Sequence, residues 1–156
     1  MEDQRHRHVY RQEHKEVGGV LSKKKEQLSW ASFKTSIDST KINARRIENL
    51  LSDGMSDVFC MNKNGTSFWI ENKALLGWPK RDSTCPLRGM FEPGQIPFMR
   101  NIIFWGGFAF VLLRVGVEYY LLDPKLDLCA LNRSDLVSSA IAAGKTEIIR
   151  NLENLR

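Results

Sequence analysis

Ile47-Glu48-Asn49-Leu50-Leu51-Ser52-Asp53-Gly54-Met55-Ser56-Asp57, continued by Val58 to Met61, a short turn and Ser67-Phe68-Trp69-Ile70-Glu71-Asn72-Lys73, is the stretch that decides the fold. Read physically, it is a helix end, a glycine stop, an acid that opens a strand, a hairpin turn and a Glu-x-Lys near the end of the next strand. Glu48, Asp57, Glu71 and Lys73 are thereby directed toward one place. Crowded carboxylates resist joint ionisation unless something positive stands among them. A divalent cation with oxygen ligands is the usual solution.

The turn Asn62-Lys63-Asn64-Gly65-Thr66 leaves the register open. A two-residue Asn64-Gly65 turn pairs Asp57 with Asn72 and puts Asp57 and Glu71 on opposite faces. A three-residue Lys63-Asn64-Gly65 loop, with Gly65 left-handed, pairs Asp57 with Glu71 on one face. Lys73 shares the face of Glu71 in either case, because side chains alternate along a strand. A catalytic arrangement requires the three-residue loop or a bulge before Asp57.

Upstream, Ser39 reads as a helix start, with Ile42, Ile47, Leu50 and Leu51 near helical spacing and Gly54 as the stop. Ser29 reads as the cap of a shorter piece carrying Trp30, Phe33 and Ile37. Residues 1–28, with His6, His8, His14 and Lys23-Lys24-Lys25, hold few apolar groups and read as a basic, flexible arm. Residues 29–156 read as one domain, with a core over about 39–123 and C-terminal helices over 134–155.

Downstream, residues 74–94 carry too many glycines and prolines for a regular element and read as a long loop. Trp78, Lys80, Arg81, Arg88 and Phe91 in it suit either gripping a phosphate backbone and stacking on a base or a solvated loop anchored by its two aromatics. Gln95 opens a helix in which Pro97 falls in the first turn, and Gly106-Gly107 ends it. Phe108 to Val115 is an apolar strand buried on both sides, with Glu118 to Leu122 its hairpin partner. Ser134-Asp135 opens a helix through Ala143, and Thr146 to Leu155 forms another. The alternation points to an α/β or α+β architecture on a mixed sheet.

The chain of 156 residues carries a net charge of +5, which favours a polyanionic partner without requiring one. Three widely spaced cysteines with no Cys-x-x-Cys argue against a disulfide framework or structural zinc. The longest apolar run, Ile102 to Leu113, is 12 residues long, short of the roughly 20 a membrane span needs. With a charged N-terminus lacking an apolar signal region, the expectation is a cytoplasmic protein.

The combination Arg45-Arg46-Ile47-Glu48-Asn49, Gly54-Met55-Ser56-Asp57, Trp69-Ile70-Glu71-Asn72-Lys73, Gln95 and Gly106-Gly107 before Phe108 to Arg114 resembles the PD-(D/E)XK nuclease superfamily. Within it, the combination is most similar to the VRR-NUC and RecU-like Holliday junction resolvase branch, in its small phage-encoded members. Ser56 stands where the family pattern has proline, and Asn72 where an apolar residue is common. The resemblance implies a restriction-endonuclease-like mixed sheet flanked by helices, with an αβββαβ-type core. It implies a Mg2+-dependent DNA endonuclease, with Mn2+ able to substitute, cleaving branched or duplex DNA in recombination or repair and acting as a homodimer. Asp57, Glu71 and the backbone carbonyl of Asn72 would hold the metal, with Glu48 reaching it directly or through water. Lys73 would position or activate the attacking water and Gln95 would orient water or phosphate, while Arg45 and Arg46 would join Trp78, Lys80, Arg81 and Arg88 in contacting DNA. The alternatives are a nuclease for flap, single-stranded or ordinary duplex DNA, and a non-catalytic DNA-binding or assembly module on the same fold.

Overall fold

The computed structural model describes residues 20, 21, 23–47 and 54–156. The chain forms a helix over 23–34 (α1), then β1 (Ile42–Arg46), β2 (Val58–Asn62) and β3 (Ser67–Leu75). There follow α2 (Gln95–Phe104), β4 (Phe108–Val115), β5 (Glu118–Leu122), α3 (Arg133–Ser139), β6 (Ala142–Ala143) and α4 (Lys145–Glu153). The result is a mixed α+β fold on a six-stranded sheet whose spatial order is its sequence order. Strands β3 and β4 are parallel and every other neighbouring pair is antiparallel. A parallel pair needs a crossover, and α2 supplies it. Among the described residues the order from α1 to β4 is helix, three strands, helix, strand, an αβββαβ order that begins at α1 rather than at the helix expected from Ser39.

The sheet has an apolar layer on each face. On one, Val58, Cys60, Phe68, Ile70, Leu112 and Leu121 pack with Trp30 and Phe33 of α1 and Ile148 and Leu152 of α4. On the other, Val111, Leu113 and Leu122 pack with Met99 of α2, Leu136 of α3, and Leu87 and Leu128 from connections. Strand β4 therefore contributes to both layers, which is why its sequence reads as an unbroken apolar run.

Three expectations are corrected. The helix expected from Ser39 is in its first part strand β1, all five of whose residues pair with β2. Spacing near 3.6 there was fortuitous; Ile42 and Ala44, two apart, point to one core face. Asp38 rather than Ser39 organises the entry, accepting from the Thr40 N–H at 2.9 Å and, through its backbone carbonyl, from the Ile42 N–H at 3.1 Å. The helix around Trp30 and Phe33 starts well before Ser29, so it crosses the boundary at residue 28 expected for a flexible arm. The helix expected through Ala143 stops at Ser139, with Asn132 accepting from the Asp135 N–H as its cap. Ala142 and Ala143 instead extend the sheet on the open edge of β5, a tertiary pairing that overrides alanine's helical preference.

The β2–β3 turn has the three-residue loop. Val58 pairs with Ile70 and Met61 with Ser67, and Gly65 sits at φ 81°. Buried Asn62 fixes this turn: its Oδ1 accepts from the Asn64 and Thr66 N–H groups at 3.0 and 3.1 Å. Its Nδ2 donates to the Leu152 and Leu155 carbonyls at 3.0 and 2.9 Å, so the end of the chain holds the turn in place.

Candidate active site

The register carried one residue beyond Val58 sets Asp57 opposite Glu71 on a single face of the sheet. Lys73 lies two residues on, on the same face. Glu71 and Lys73 are 0% and 2% exposed, which for a carboxylate and an ammonium demands close pairing. Lys73 Nζ lies 2.9 Å from Glu71 Oε1 and 3.6 Å from Glu26 Oε1. It donates to Gln95 Oε1 at 3.2 Å and stands 5.2 Å from the centre of the Phe91 ring.

Gln95, buried at the start of α2, also accepts from the Glu92 N–H at 2.9 Å. Its oxygen is thus committed to two donors and holds the lysine in place. Gly54 and Gly94 bring this helix start against the turn before Asp57. A Cβ on Gly54, at φ 96°, would lie 2.7 Å from the Gly94 carbonyl carbon. Asp57 is braced by the Asn72 N–H, which donates to its Oδ2 at 3.3 Å.

Burial dominates the electrostatics. It pushes the Glu71 pKa up to about 8, with Lys73 opposing and the Asp57 charge adding to the rise. Burial likewise raises Asp57 and Glu26, in each case against the pull of Lys73. For Lys73, burial works against the charged form, but Glu71, Glu26 and Asp57 together outweigh it and raise its pKa. The cluster is carboxylate-rich and short of positive charge.

Lys73 engages Glu71 Oε1 at 2.9 Å, while the equally buried Oε2 meets no hydrogen-bond donor among the described residues. A buried carboxylate with one unpartnered oxygen beside a second carboxylate is a donor set that suits a small hard cation. Among the described residues, no group of three or more His, Cys, Asp or Glu side chains converges as a metal shell. Mg2+ does not need one, since it is commonly held by one or two carboxylates and several waters. The residues present therefore fit the expected metal.

Glu48 lies outside the described residues. The helical acid that does reach the cluster is Glu26 of α1, whose backbone carbonyl also accepts from Asn72 Nδ2 at 2.7 Å. Sequence reasoning missed it, although the signal was there: Glu26, Trp30 and Phe33 stand at i, i+4 and i+7, an acid on the apolar stripe of a helix.

The residues expected to contact DNA lie on β1 and in the connection from β3 to α2. Arg45 and Arg46 are exposed on β1, and Lys80, Arg81 and Arg88 are exposed between β3 and α2. Trp78 is half-buried: its Nε1 donates to Glu118 at 3.0 Å, and its ring packs against Tyr120 and the Arg133 guanidinium. Phe91 is turned toward Lys73. The long connection is also less irregular than its composition suggests, with turn hydrogen bonds at Thr84, Arg88 and Met90 and Leu87 fully buried.

Comparison with protein-family models gives no match to this chain, and comparison with curated proteins gives none either.

Proposed function

We propose that the chain is a metal-dependent nuclease that hydrolyses phosphodiester bonds in DNA, on the PD-(D/E)XK plan. The observation that carries this reading is the hairpin register, which gathers Asp57, Glu71 and Lys73 on one face where the alternative turn would have separated the two acids. The order of elements around them, and the presence of a helical acid in Glu26, support it further.

Mg2+ held by Asp57, Glu71 and the Asn72 backbone carbonyl would lower the pKa of a bound water and offset the charge that builds on the phosphate. Lys73 stays protonated through the neutral range and lends positive charge to the pentacovalent phosphorus centre. Gln95 and Phe91 restrict the Lys73 ammonium to the side of the cluster facing α2. Glu26 balances part of that lysine charge and is placed to accept a proton or orient water. Junction-selective cutting and a homodimer are the finer parts of the proposal and come from the resemblance alone, while a cytoplasmic location is proposed because the longest apolar run is only 12 residues. Among the described residues no helix is long and apolar enough to cross a membrane, which is compatible with that location.

The test is incubation with labelled four-way junction, flap, single-stranded and linear duplex DNA in Mg2+, Mn2+ or EDTA. Glu71→Ala and Lys73→Ala run beside the wild type. Metal-dependent cutting, lost by at least about 1000-fold in both variants, is expected from removing a metal ligand or a preorganised charge. Wild-type protein that binds DNA and cuts none of these under either metal would leave the non-catalytic binding module as the function.

A further inference from the structure

The sheet face that carries Asp57 and Glu71 runs on toward the β2–β3 turn. The Ile47 N–H donates to the Asp57 carbonyl at 2.8 Å, Arg45 pairs with Phe59 and Asn43 with Met61, forming successive rows away from the acids. At about 3.3 Å per residue, Met61 stands about 13 Å from Asp57 along β2. A groove of about 540 Å³ opens over these rows, with Lys41, Asn43, Arg45, Phe59, Met61 and Lys63 in its lining.

Three of those residues are cationic, and among the described residues no acidic side chain lines the groove. Arg45 and Lys63 are exposed, whereas Lys41 is partly engaged by Glu153 at 3.7 Å. The floor is apolar: Met61 is 44% exposed, and the half-buried Phe59 ring packs at 5.1 Å against Trp69. Cationic walls over an aromatic and thioether floor match a strand whose phosphates need positive charge and whose bases need an apolar face. A simple anion would not need the floor, and an apolar peptide would not need the cations.

We propose that this groove holds the nucleic-acid strand on one side of the scissile phosphate, with Arg45, Lys63 and Lys41 on backbone phosphates and Phe59 and Met61 beneath a base. The assignment rests on the nuclease reading above and adds the track along which the substrate approaches Asp57.

The experiment is fluorescence anisotropy in EDTA, so that binding is read apart from cutting, with a labelled DNA strand, an RNA strand of the same sequence and a DNA duplex. Arg45→Ala/Lys63→Ala is compared with Lys34→Ala/Arg150→Ala, which removes the same charge from exposed positions outside the groove. Melting curves check that both variants fold, and wild-type cleavage is measured separately in Mg2+. The expected result is an affinity loss of about 10-fold or more in the groove variant beyond the control, with the slope of log K against log salt reduced by about 1–2. Equal losses in the two variants, with wild-type cutting intact, would overturn the groove and leave the nuclease reading standing. Groove-dependent binding without cutting under any metal would sustain the groove and sink the nuclease reading. Wild-type protein that neither binds nor cuts overturns both, and tighter binding of RNA keeps the groove while moving the substrate class to RNA.

Discussion

Glu71 is the residue on which the proposed chemistry and the stability of this chain pull in opposite directions. Its pKa stands near 8 instead of the ordinary 4.5 because burial penalises its charge more than Lys73 repays it. A carboxylate with a raised native pKa binds its proton more tightly when folded. Its favourable contribution is therefore complete below about pH 4.5 and is lost as pH climbs through 8. In EDTA, Glu71→Gln should melt higher than wild type at pH 9, by about 2–8 °C for a gain of one to two kcal/mol, and the difference should vanish at pH 5. A Glu71→Gln protein that melts lower at pH 9 would mean that the ion pair with Lys73 outweighs the burial cost. The gain in stability should come with loss of any cutting, as expected when a site keeps a charge that the fold alone would reject.

At the level of elements, two glycines separate backbone strain from close approach. Gly65 takes φ 81° in open space, so Gly65→Ala incurs only the left-handed penalty, about 1–2 kcal/mol. Gly54 has a similar φ of 96°, but its added Cβ would press on the backbone of Pro93 and Gly94 at 2.7–2.9 Å. Since neither backbone can yield like the end of a side chain, Gly54→Ala should cost about 3 kcal/mol or more in urea unfolding. It should also shift the start of α2, and with it Gln95, away from Lys73. Equal destabilisation of the two variants would show that the Gly54–Gly94 approach does not hold the site together.

For the molecule as a whole, a cation that binds only the folded site must raise its stability by mass action. At a Mg2+ concentration about 100 times its Kd, wild type should gain about 2.7 kcal/mol. For a domain of this size that raises the melting temperature by about 5–10 °C. Asp57→Asn and Glu71→Gln should gain much less, measured by differential scanning fluorimetry at matched ionic strength. An equal rise in all three proteins would assign the effect to Mg2+ bound elsewhere on the folded chain rather than to this site.

Much of this organisation is present in the residue pattern. The apolar run Phe108 to Val115 could only be a strand buried on both faces, and Gln95 followed by Pro97 could open a helix but not continue one. Asp57, Glu71, Lys73 and Gln95 were legible because polar groups stand at fixed offsets from strong strand and helix signals. Strands β1 and β6 were not, because the helical spacing from Ile42 and the helical preference of Ala142-Ala143 both yield to pairing with a neighbouring strand. For Trp78 the sequence left a base-stacking and an anchoring role open, and only packing shows Tyr120 and Arg133 against its ring. By itself the sequence determined which strands carry the acids and that Lys73 shares a face with Glu71, since alternation along one strand is a local property. Whether Asp57 joins them was left to the tertiary structure, where Asn62, held by the carbonyls of Leu152 and Leu155, selects the three-residue turn. A contact spanning 90 residues cannot be read from the turn it controls, and a register shifted by one would have sent one acid through to the opposite face.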